Sequence, residues 1–121
     1  MTTEDELFQK GIDAFNDRCF YDAHEHWEEL WLDFKLQDAK FIQGLIQLAV
    51  SYFHLFNNNL NGARSMMRKC LVKFEKVEMA RGLDINELKE QIVQVQNHLD
   101  SIRNKSDIID TYIMTLKAIH E

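Results

Sequence analysis

Proline is absent from all 121 residues, and glycine occurs only four times. Sandwiches and barrels need frequent tight turns, which such a chain has little chemistry to make. Helices tolerate this composition well, because proline breaks their interiors and glycine weakens them. Apolar residues make up 45% of the chain and charged residues 28%, the balance of a globular protein rather than a disordered one. The length is enough for one real hydrophobic core. The expected architecture is therefore all-α: a compact bundle of five to six helices in a single domain, residues 1–121.

Local signals divide the chain. Thr3 and Glu6 have capping-box spacing, and Leu7, Phe8, Ile12 and Phe15 follow at helical intervals. Residues 16–19 read as a connection. A second helix is expected over 20–34, with Phe20, Ala23, Trp27, Leu30, Trp31 and Phe34 on one arc. Asp38 is a candidate cap for a third helix over 39–56, apolar around most of its circumference and hence expected at the centre. Asparagines at 57–59 end it. A fourth helix is expected from Asn61-Gly62 to Arg81-Gly82. Asp84 and Glu87 repeat the capping-box spacing, and Ile85, Leu88, Ile92, Val95, Leu99 and Ile102 form an a/d seam. That seam would serve either an intramolecular bundle or a homodimer. Residues 104–107 either restart the chain as a sixth helix, with Ile109, Ile113, Leu116 and His120 along one side, or continue the fifth with a kink.

Charge is uneven. Residues 1–34 hold ten acids and two bases, whereas residues 60–81 hold six bases and two acids. The formal net charge of −6 argues against nucleic-acid binding as a general property. The two cysteines, Cys19 and Cys70, lack the spacing of a thiolate zinc site and read as small hydrophobes. The first residues, MTTEDELF, are acidic rather than signal-like, and Gln43, Gln47, Ser51 and His54 interrupt the longest apolar run. A cytoplasmic protein with no membrane span is expected.

Chemistry concentrates in His24-Glu25-His26-Trp27-Glu28-Glu29-Leu30-Trp31. On a helical wheel with His24 at the origin, Glu28 falls at about 40° and Trp31 at about 340°. His24 and Glu28 thus stand one turn apart at the edge of the apolar arc, with Glu25 at the rim. Both tryptophans are expected mainly in the core. On the third helix Gln43, Gln47, Ser51 and His54 share an arc of about 80° that carries no Lys, Arg or Glu. If the two edges meet, His24, Glu28, Gln43, Gln47 and His54 converge.

Three uses follow from such a cluster. His24, Glu28 and His54 could ligate a divalent zinc, manganese or iron ion. The run is not an HExxH site, because its fifth residue is Glu28. A carboxylate beside an imidazole could also serve a small-molecule or hydrolytic pocket through acid–base chemistry. Alternatively, the polar network pairs internally and fixes helix packing in a structural or protein-interaction domain with an unidentified partner. The last reading carries the most weight. No serine or cysteine stands in a nucleophile motif, and the residues name no reaction.

The order and spacing of FNDRCFYDAHEHWEELW and FIQGLIQLAVSYFHLFNNNLNGA resemble the DUF309 family. Its pattern is approximately F-N-x-x-x-[FY]-x-x-A-H-E-x-W-E-x-x-W, then Q-G-[LI]-[IL]-Q-x-A with a histidine, then G-N-x-x-G-A. The matches are Phe15, Asn16, Phe20, Ala23, His24, Glu25, Trp27, Glu28 and Trp31, then Gln43, Gly44, Leu45, Ile46, Gln47, Ala49, His54, Gly62 and Ala63. The resemblance covers about 8–75 and leaves 83–121 as a C-terminal helical extension. The glycine that opens the third pattern is replaced within 57–59. The resemblance implies a compact helical bundle and no particular activity. It also suggests that Gly44 admits a close helix neighbour.

Overall fold

Helix α1 (Glu4–Asn16) opens on the capping box that the sequence predicts. The Thr3 hydroxyl accepts from the Glu6 amide at 3.1 Å, and the Thr3 amide donates to the Glu6 carboxylate at 2.8 Å. Helices α2 (Phe20–Asp33), α3 (Ala39–Phe56) and α4 (Leu60–Lys73) follow across short connections. Two-residue strands β1 (Met79–Ala80) and β2 (Leu83–Asp84) pair antiparallel, and α5 (Ile85–Leu99) completes the order. The computed structural model describes residues 3–101 and 113–117. Among the described residues every regular element except that hairpin is a helix, and no helix is long and apolar enough to cross a membrane.

Helix α3 is central, as its apolar circumference requires. It packs against α2 on one side and α4 on the other, while α1 covers α2 and α5 lies against α4. Phe15, Trp27, Tyr52, Phe41, Phe74, Leu45, Leu48 and Ile85 are fully buried in the shared core. Two glycines permit the closest approaches. A β-carbon on Gly11 would lie 2.0 Å from Trp27 Nε1, so only glycine lets the indole rest on α1. One on Gly44 would lie 2.6 Å from the Phe74 ring, which identifies α4 as the neighbour that this glycine admits. At 57–59 the turn uses Asn58 at φ 61°, a left-handed conformation that asparagine tolerates.

The structure corrects three expectations. Helix α4 stops at Lys73 rather than Arg81-Gly82, which instead form the hairpin turn with φ of 49° and 79°. Asp38 starts α3 without a side-chain cap; its carboxylate takes a forked pair of bonds from Arg81, at 2.7 and 3.0 Å. Arg81 also donates to Glu4 at 3.0 Å and lies over the Phe8 ring, tying the hairpin to the starts of α1 and α3. The described part of the α5 seam, Ile85 to Leu99, is buried within the chain, as the intramolecular alternative requires. Residues 113–117 are non-helical, although Ile113 and Leu116 are buried as their spacing suggested. Ile102, Ile109 and His120, with the sixth-helix alternative over 104–112, lie outside the described residues.

The candidate polar edge of helices α2 and α3

Helix α2 turns its core face, Phe20, Ala23, Trp27 and Leu30, toward α1 and α3. The Trp27 indole donates to the Phe8 carbonyl at 3.1 Å, so its one polar atom is satisfied inside the core. One step around the helix the environment changes. His24 retains 22% side-chain exposure and its Nε2 sits 3.3 Å from the Glu28 carboxylate, itself half-exposed. Glu25 is exposed, and its charge raises the Tyr21 phenol above its ordinary range; a hydrogen bond from the phenol to Glu25 adds to the shift. The edge therefore carries two one-turn pairs, Tyr21–Glu25 and His24–Glu28.

The expected convergence onto α3 is only partial. Gln43 and Gln47 are both half-buried. The buried Ser51 hydroxyl donates to the Leu48 carbonyl at 2.6 Å and belongs to the core. His54 turns its Nδ1 toward Asn59 Nδ2, 3.4 Å away. Asn59 in turn accepts from the Gly62 amide at 2.9 Å, which makes His54 part of the α3–α4 connection. Among the described residues no three His, Cys, Asp or Glu side chains are grouped so as to hold a metal ion. The expected set of His24, Glu28 and His54 is thus not assembled. Nor can Gln43 and His54 meet at one point, because eleven residues of helix separate them by about 16 Å, a rise that a wheel does not display.

Two polar atoms of the cluster remain buried without a hydrogen-bond partner, His24 Nδ1 and Gln47 Oε1. Pairing with Glu28 favours the proton on His24 Nε2, which leaves Nδ1 as an inward lone pair. That lone pair is closed to solvent, while the outward nitrogen is held by the carboxylate.

What the edge does expose is aromatic and aliphatic surface, which the sequence reading missed. Tyr21 is 51% exposed, Trp31 39%, Leu32 67% and Phe53 38%. Trp31 therefore departs from the core placement expected of both tryptophans. The Tyr21 ring lies 5.5 Å from both His24 and Phe53, centre to centre, which joins the two helices across this surface. Acids alone charge the helix that bears it: Asp22, Glu25, Glu28, Glu29 and Asp33 stand on α2 with no lysine or arginine. The signal was present in the spacing Tyr21, His24, Glu28, Trp31 and Leu32, read as a second stripe beside the core.

The family model described as "Domain of unknown function (DUF309)" matches residues 8–66. The chain is also 27% identical over 97 residues to an uncharacterized protein of Aquifex aeolicus (strain VF5). That similarity takes in 78% of this chain and 29% of the relative, so the chain spans less than a third of the curated relative it matches.

Proposed function

Taking as premise that residues 8–66 belong to the DUF309 family, we propose that the chain is a protein-interaction module that docks a partner polypeptide along the α2 edge. The single observation that carries this reading is the exposed row of Tyr21, Phe53, Trp31 and Leu32 interleaved with carboxylates. Tyrosine and tryptophan supply most of the binding energy at protein interfaces when a partner desolvates them. The acidic surround selects the partner's chemistry: a segment presenting apolar side chains flanked by lysine or arginine. His24 and Glu28 then hold the edge in register, with Gln43 and Gln47 behind it. The small share of the Aquifex relative that aligns is in keeping with a module used inside a larger protein.

Site-specific photo-crosslinking of the full chain in its native cells tests this. The crosslinker is placed at Leu32, with Val93 on α5 as the control position. The expected result is one polypeptide captured from Leu32 and not from Val93. Once purified, it should bind the full chain, and Trp31→Ala should weaken binding by about 2 kcal/mol, or roughly 30-fold. Equal capture from both positions, or binding indifferent to Trp31→Ala, would refute the reading. Capture of a second copy of this chain would replace the basic partner with self-association.

A further inference from the structure

Residues 113–117 lie against the bundle as a non-helical strap, and one side chain of α1 holds Leu116 as a neighbouring strand would. Asn16 Nδ2 donates to the Leu116 carbonyl at 2.9 Å, and the Leu116 amide donates to Asn16 Oδ1 at 2.7 Å. That double exchange is the bonding of a paired residue in an antiparallel sheet, made here by a carboxamide. The Met114 backbone hydrogen-bonds the buried Tyr52 phenol, giving a second backbone contact two residues away. Ile113, Met114 and Leu116 are buried, whereas Thr115 and Lys117 face outward. A mixed polar and apolar pocket of about 340 Å³ adjoins the strap, lined by Asp84, Glu87, Leu88 and Gln91 and by the strap's own residues 115–117.

Asn16 and Tyr52 both fall within the family segment 8–66, and the strap falls outside it. From this geometry we infer that Asn16, Tyr52 and the face of α5 form a recognition groove for an extended peptide, and that residues 113–117 are its tethered occupant. The backbone bonds read extended conformation irrespective of sequence. The buried positions select an apolar-apolar-x-apolar pattern, that of Ile113-Met114-Thr115-Leu116. A segment of the same pattern on another polypeptide would compete with the strap. Competition is suppressed while the strap is seated, because tethering gives it a high effective concentration. The groove uses none of the exposed aromatic residues of the α2 edge, so either reading can fail without the other.

The probe is a fluorescein-labelled peptide with the sequence of residues 111–118, titrated into full-length protein. Leu116→Asp in the full chain should unseat the strap and bind the peptide at least tenfold tighter than wild type, by fluorescence anisotropy. Adding Asn16→Ala should abolish that gain. No gain in a Leu116→Asp variant of native helical content, or a gain that survives Asn16→Ala, would overturn the inference. A second measurement needs no variant. In wild-type protein the Leu116 amide should exchange with deuterium at least tenfold faster than the Leu48 amide in the centre of α3. Equal protection at both amides would mean that the strap opens only when the whole fold does, and would equally overturn it.

Discussion

Gly11→Ala tests the packing that orients the α2 edge. In an ordinary helix interior this change stabilises by about 1 kcal/mol, because alanine is the better helix former. Here the new β-carbon would lie 2.0 Å from Trp27 Nε1 and 2.4 Å from two further indole atoms. The ring would have to retreat by about 1.5 Å to restore van der Waals contact, since carbon atoms pack at roughly 3.5 to 4.0 Å. Overpacking a dense core costs about 1 to 3 kcal/mol. The retreat also breaks the 3.1 Å bond from Trp27 to the Phe8 carbonyl. An orphaned buried N–H costs about a further 1 to 3 kcal/mol. Set against the helix gain, the balance is a loss of about 1 to 5 kcal/mol. With unfolding entropy near 2.1 cal/mol/K per residue, each kcal/mol lowers the Tm of a chain this size by about 4 °C, so a fall of roughly 4 to 20 °C is expected. Thermal unfolding should be followed by far-ultraviolet circular dichroism, with the near-ultraviolet signal reporting the indole. In a Trp27→Leu background, where the crowded ring is absent, the same substitution should cost far less. A Gly11→Ala protein as stable as wild type, or equal costs in both backgrounds, would refute this reasoning.

Arg81→Ala should destabilise by about 1 to 2 kcal/mol in urea titration, discounted for the partial exposure of Asp38 and Glu4. Arg81→Lys should recover less than half of that, because an ammonium cannot fork across Asp38; full recovery would show that only the charge matters. An aromatic disulfide reagent should modify exposed Cys19 quickly, and buried Cys70, whose thiol burial pushes far above its ordinary range, only at the rate of unfolding. Two fast equivalents would contradict the placement of Cys70. The backbone bond to Thr3, then the Thr3 hydroxyl, lower the Glu6 carboxyl below its ordinary 4.5. A depressed folded-state pKa means stability fully present above pH 4.5 and lost as pH falls through the lowered value. The Tm difference between wild type and Thr3→Ala should therefore be constant from about pH 5 to 7 and shrink below about pH 4.5; a difference independent of pH would assign the effect to the neutral cap alone.

Much of this fold was legible because helical signals are local. The span of α3 over 39–56 follows from an apolar run closed by asparagines, and the Thr3 and Asp84 caps from short-range spacing. The end of α4 was not legible. Phe74 and Val77 keep the helical interval after the helix has stopped, because Phe74 points at Gly44 rather than along its own helix. Arg81 in a left-handed turn is also invisible to propensity; Asp38, Glu4 and Phe8, all distant in sequence, hold it there. At the site, the His24–Glu28 pair was legible as a one-turn spacing. The convergence with His54 was not, since a wheel keeps angle and discards rise. Asn16 stands in the motif with no role that its local spacing assigns, because its partner lies 100 positions away.

The two tryptophans show how little separates structure from exposed surface on α2. They are one turn apart and differ by about 40° around the axis. Trp27 is fully buried with its N–H satisfied, whereas Trp31 keeps 39% of its surface in water. Removal of a buried tryptophan leaves a cavity, so Trp27→Ala should cost about 3 to 5 kcal/mol and threaten folding. Trp31→Ala forfeits only part of its apolar burial and opens no closed void, so about 1 kcal/mol is expected. If Trp31 served the core, urea titration would find the two losses comparable. If it serves an interface, the protein should tolerate its removal and lose the partner instead. That separation of effects is the signature by which an exposed aromatic row on α2 is distinguished from a loosely packed extension of the core.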